Sequence, residues 1–142
     1  MKKLNCILLI DDDIDDNEFH KIIITQTGVC NHIRTAEDGI KALEYIQKSA
    51  NPELQDNYPK PDLIFLDINM PRMNGFEFLE AYQQLDEELR AAIVICMLTT
   101  SLNPKDKKRA LEIPGIINFK PKPLTAQMLT EIVKEYFNDD TQ

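Results

Sequence analysis

The chain has 142 residues, with 16 Lys and Arg against 24 Asp and Glu, a formal net charge of −8. That length suits one domain with its own core, and the acidic balance argues against direct binding to phosphate backbones. The longest apolar runs, such as residues 93–98, are too short to cross a bilayer, and the start carries no secretory pattern. Cys6, Cys30 and Cys96 therefore read as free thiols in a reducing cytoplasm, away from any membrane.

Residues 4–10 are an apolar run broken only by Asn5, the pattern of a strand covered on both faces. Residues 15–28 place Phe19, Ile22 and Ile23 on one side at helical spacing, and Gly28 supplies a stop. Residues 32–35 are a short, weak strand candidate. Residues 38–50 read as a second helix with Ile40, Leu43 and Ile46 on one face. Residues 51–60 hold two prolines and read as a long loop. Residues 63–66 form a strand ending at Asp67, and Pro71 and Gly75 punctuate a loop before a helix over 76–85. A fourth strand covers 92–98. Asn103 and Pro104 open the next helix, Asn as cap and Pro at the first position, and Pro114-Gly115 stops it. Residues 116–119 are a fifth strand. Thr125 caps a last helix carrying Met128, Leu129, Ile132, Val133, Tyr136 and Phe137, the clearest helical period in the chain.

Five strand–helix pairs predict an α/β fold, a five-stranded parallel sheet with helices on both faces in three layers. Ligands of such sheets sit beyond the carboxyl ends of the strands. Asp11, Asp12 and Asp13 follow the first strand, and Asp67 and then Asn69 the third. Thr99, Thr100 and Ser101 follow the fourth, and Lys120 and Lys122 the fifth. If the first and third strands are neighbours, Asp11, Asp12 and Asp67 crowd together, and a cation is needed to neutralise them. Mg²⁺ fits, because it takes oxygen ligands and typically one or two carboxylates plus phosphate. An acidic helix start alone would explain Asp11 to Asp16, but neither Asp67 nor Lys122. The chain has no Gly-x-x-x-x-Gly-Lys-Ser/Thr loop, no Gly-x-Gly-x-x-Gly and no Gly-x-Ser-x-Gly. His20 and His32 lack metal-ligand spacing, and His20 reads as a surface or half-buried helix residue.

Ile7 to Asp13, Pro61 to Gly75, Met97 to Ser101 and Lys122 to Leu124 together resemble the receiver domain of two-component response regulators. The stretch from Asp67 to Gly75 is the most specific part. The resemblance implies a flavodoxin-like (βα)5 fold with strand order 2-1-3-4-5, filling residues 1–142 as a single receiver domain with a core over about 4–137 and no output domain. It implies that Asp67 accepts a phosphoryl group from a sensor histidine kinase or phosphotransfer protein. Asp12, Asp67 and the Asn69 backbone carbonyl would hold Mg²⁺, with Asp11 acting through water or in support. Thr99 supplies the switch hydroxyl, with Thr100 as the alternative, and Lys122 pairs with the phosphoryl group. Phe119 stands where many relatives carry a tyrosine switch, and is expected to turn inward on phosphorylation. Asn69 and Ser101 flank the path of the hydrolytic water. The Lys122-Pro123 bond is expected to be cis. The resemblance also implies a cytoplasmic signalling protein that catalyses only its own phosphorylation and dephosphorylation. It would contact a downstream protein target, bind no nucleic acid, and is compatible with a homodimer. Two other readings stand beside it. A phosphatase of the haloacid-dehalogenase kind would turn over phosphate esters, but Asp15 stands where its first-strand motif ends in Thr or Val. A degenerate receiver used only for binding conflicts with the complete set of Asp11, Asp12, Asp67 and Lys122.

Overall fold

The computed structural model describes residues 3–100 and 103–137. Five strands, β1 (Leu4–Ile10), β2 (Cys30–Ala36), β3 (Leu63–Asp67), β4 (Val94–Thr99) and β5 (Ile116–Pro121), form one sheet in the order β2-β1-β3-β4-β5. Every neighbouring pair is parallel. Among the described residues, six α-helices flank it: α1 (Ile14–Thr27), α2 (Gly39–Ser49), α3 (Gly75–Tyr82), α4 (Glu87–Arg90), α5 (Pro104–Leu111) and α6 (Ala126–Phe137). The expected α/β architecture and strand order are those observed.

Alternation along the central strands builds two cores. Leu8, Ile10, Ile64, Leu66, Ile95 and Met97 face one way, against α2, α3 and Ala110 of α5. Ile7, Leu9, Leu63, Phe65, Cys96 and Leu98 face the other, against Ile24 of α1 and Leu129, Ile132 and Val133 of α6. Both faces of β1 and β3 are thus covered, which is why these strands read as unbroken apolar runs.

Helix ends follow their local chemistry. Asp38 caps α2 through Lys41 N at 2.8 Å, and Asn103 caps α5 through Lys105 N at 2.9 Å. Gly28 closes α1 at φ 66°, a left-handed position where glycine carries no steric cost. The buried sides of the first two helices differ from expectation. Phe19 and Ile22 are exposed, while Asn17, His20 and Ile24 are buried. Two tertiary hydrogen bonds fix this rotation: Asn17 Nδ2 donates to Asp11 O at 2.9 Å, and Leu124 N donates to His20 Nε2 at 3.2 Å. In α2, Ile40 is exposed, and Ala42, Tyr45 and Ile46 face the sheet. The loop over 51–60 contains a 3₁₀ turn, Pro52–Leu54. It is pinned by Tyr58, whose ring meets Tyr45 at 5.4 Å, and by the Tyr45 hydroxyl, which donates to Pro59 O at 2.6 Å. The four-residue α4 has no counterpart in the sequence reading. Among the described residues, no helix is long and apolar enough to cross a membrane.

Candidate functional site

The register of β1 on β3 pairs Ile10 with Leu66. Each strand then delivers its next residue, Asp11 and Asp67, to the same edge. Carboxylate oxygens of Asp11, Asp12 and Asp67 lie within 4.8 Å of one another. Asp11 and Asp67 are buried, whereas Asp12 is exposed. Lys122, one residue past β5, reaches across this edge; its own amide donates to Thr99 O at 2.9 Å. Its ammonium donates to Asp11 at 2.5 Å and Asp16 at 2.8 Å, and lies 3.6 Å from Asp67.

This crowding sets the protonation of the groups. Burial, then the charge of Asp11, pushes the Asp67 carboxyl up to about 6, with Asp12 adding to the effect. Lys122 and the Asn69 backbone amide act in the opposite direction but do not cancel it. For Lys122, burial is the largest influence and favours the neutral amine. The hydrogen bonds and charges of Asp11 and Asp16, with the charge of Asp67, together outweigh it, so its net pKa is raised and it stays an ammonium. Three crowded carboxylates, one of them the buried Asp67 whose pKa is raised by burial and by its neighbours, match what a small divalent cation relieves.

The loop after Asp67 is built by close approach. Gly75 N donates to Ile68 O at 2.7 Å, and a Cβ on Gly75 would lie 2.8 Å from Asp67 O. Arg72 has φ 66°, and Met73 N donates to Pro71 O at 2.7 Å, the three-residue turn of the strained γ form. The Arg72 guanidinium bonds Asp38 at 2.6 Å and so ties this loop to the start of α2. The Lys122-Pro123 bond is cis, as expected.

The remaining expected residues sort as follows. Thr99 is wholly buried at the end of β4, and Thr100 is exposed beyond it. Asn69 is exposed on the loop. Ser101 lies outside the described residues. Phe119 is 3% exposed and packs in the same core as Ala110 of α5. A benzyl group has no hydroxyl to keep near water, and full burial of an aromatic ring is worth roughly 2 kcal/mol. His20 is buried rather than superficial. Burial lowers its pKa, and its Nε2 accepts from the backbone just after Lys122. Sequence reasoning missed Asp16 and the Arg72–Asp38 pair, because both depend on contacts between residues far apart in the chain.

Residues 7–134 match the family model of the response regulator receiver domain. The chain belongs to that family. It is 30% identical over 107 residues to response regulator Rcp1 of Synechocystis, covering 75% of this chain and 69% of that protein. It is 27% identical to hybrid signal transduction histidine kinase B of Dictyostelium discoideum over 96% of its own length, yet spans only 7% of that protein. Among solved structures, a two component response regulator from Cytophaga hutchinsonii superposes with a TM-score of 0.84 at 30% identity, covering 97% of this chain and all of that one. The receiver is a domain of two-component signalling, and the expected family and fold are those found.

Proposed function

We propose that the chain is a phosphorylatable receiver in which Asp67 is the phosphoacceptor. The observation that carries this reading is the convergence of Asp11, Asp12, Asp67 and Lys122 at one edge of the sheet. A carboxylate oxygen of Asp67 attacks the phosphorus of a phosphohistidine on a kinase or phosphotransfer protein. The O–P bond forms as the P–N bond breaks, and the imidazole leaves with the electron pair and takes up a proton. Such transfer needs little covalent help from the protein; positioning and charge neutralisation supply the catalysis. Asp12, Asp67 and the Asn69 carbonyl would hold Mg²⁺, with Asp11 in support. The ion would neutralise charge on the transferring oxygens. Lys122 pairs with the phosphoryl group, and Thr99 offers the switch hydroxyl. Asn69 borders the route of hydrolytic water.

Signalling then runs through α5, β5 and α6. A groove of about 470 Å³ on this side is lined by Asn103, Pro104, Lys107, Phe119, Lys120 and Pro121.

The test is intact mass after incubation with Mg²⁺ and a small phosphodonor. A gain of one phosphoryl group that stops at one per chain supports the receiver. Steady turnover of the donor without labelled protein marks a phosphatase instead. Asp12→Ala is expected to weaken Mg²⁺ binding by more than about tenfold, since one charged ligand is worth over about 1.4 kcal/mol. Calorimetric titration with unchanged affinity would remove Asp12 from the ligand set. Thr99→Ala should impair the conformational response to a phosphoryl mimic more than Thr100→Ala does, as judged by amide shifts in NMR spectra. The opposite ranking transfers the role to Thr100.

A further inference from the structure

We propose that Asp16 is a positioning residue of this site, holding the Lys122 ammonium so that it and a divalent cation occupy the acidic edge together. This rests on the receiver reading and deepens it. Asp16 is the third residue of α1, and Asp13 is its cap. An acid at that position ordinarily turns back to the cap residue's own amide. α3 shows this closed arrangement: Glu77 N donates to Asn74 at 2.9 Å, and Asn74 N donates to Glu77 at 2.9 Å. In α1 only half of it is made. Asp16 N donates to Asp13 Oδ1 at 3.1 Å, but Asp13 N turns to Asp11 Oδ1 at 3.0 Å. The Asp16 carboxylate instead accepts a hydrogen bond from Lys122 Nζ at 2.8 Å.

The ammonium is nearly buried, at 9% side-chain exposure, and has three carboxylates around it. Asp11 and Asp67 belong to the trio that a cation would draw on. Asp16 does not. When that cation claims Asp11 and Asp67, Lys122 loses part of its counter-charge and gains a positive neighbour. Asp16 retains it there, with a proton left to aim at the phosphoryl group. Without Asp16, Lys122 falls back on Asp11 and Asp67 and competes for the same oxygens.

Mg²⁺ titration of the full chain tests this, with a double-mutant cycle over Asp16→Asn and Lys122→Ala. Lys122→Ala alone should tighten Mg²⁺ binding. Asp16→Asn should weaken it by about fivefold in the wild-type background, a contact-scale coupling, and by less than about twofold in the Lys122→Ala background. Asp16→Glu should recover most of the affinity. Thermal melts in chelator establish that each variant is folded, and Asp16→Ser replaces Asp16→Asn if that one is not. An equal loss in both backgrounds means that Asp16 acts only through its long-range field, and overturns the proposal. So does wild-type affinity in Asp16→Asn. Failure of the wild type itself to bind Mg²⁺ or take a phosphoryl group removes the receiver reading as well.

Discussion

Asp67→Asn is expected to abolish phosphoryl labelling and, in the same protein, to raise the melting temperature of the metal-free state. Loss of labelling follows if Asp67 is the phosphoacceptor, as proposed. The gain in stability follows from the site's electrostatics. Burial and the Asp11 charge raise the Asp67 carboxyl from 3.8 to about 6. A folded acid with a raised pKa binds more protons than its unfolded form between those two values. Stability therefore falls as pH rises through that window, and the deficit is complete above it. The shift corresponds to at most about 3 kcal/mol near pH 7, and the neutral amide of asparagine escapes it. In chelator, the mutant should melt higher than wild type at about pH 7, and the gap should close as pH falls toward about 4. His20 acts in the opposite sense. Burial lowers its pKa, so its contribution is lost as pH falls below its usual range. That loss is common to both proteins and cancels in the difference. Saturating Mg²⁺ should shrink the gap by stabilising only the wild type. A gap independent of pH would show that the carboxylates do not carry the strain.

Gly75→Ala is expected to be the most damaging single methyl added near the site. Gly75 has no left-handed φ; its need is space. A Cβ there would lie 2.8 Å from Asp67 O, at the end of β3, and 2.9 Å from Ile68 Cα, the backbone just past it. Backbone held in a central strand cannot yield cheaply, and such overpacking costs about 1–3 kcal/mol. Because the displaced backbone includes that of Asp67 itself, the labelling rate should fall along with stability. Gly39→Ala is the control. Its Cβ would meet Met73 Sδ at 2.6 Å and Cγ at 2.8 Å, the movable end of a flexible side chain. Denaturant titration should rank Gly75→Ala as the larger loss. Equal losses, or wild-type labelling by Gly75→Ala, would show that the loop adapts.

The site was legible in large part because its residues end apolar runs. Asp11, Asp67, Thr99 and Lys122 each lie at or just past a strand's carboxyl end, and a parallel sheet brings such ends together. Thr99, Thr100 and Phe119 were less legible. Thr99 and Thr100 are adjacent and chemically alike, and only strand register buries one and exposes the other. Phe119 lies in the core, where apolar burial favours its ring, and the fifth strand's sequence alone does not show which way that ring faces.

The sequence by itself determined the alternation of strands and helices, the family, and the set of charged residues that converge. Apolar continuity, caps and turn residues are local signals, and they survive in one dimension. The tertiary structure decided which sides of α1 and α2 face the sheet. The 17, 20, 24 stripe of α1 is held inward by hydrogen bonds to Asp11 and Leu124, against the apolar pull of Phe19 and Ile22. It likewise decided that Asp16 serves Lys122 and Arg72 serves Asp38, pairs separated by 106 and 34 residues. Hydrogen bonds and ion pairs depend on ångström-scale approach, and only the folded chain sets that distance between residues so far apart in sequence.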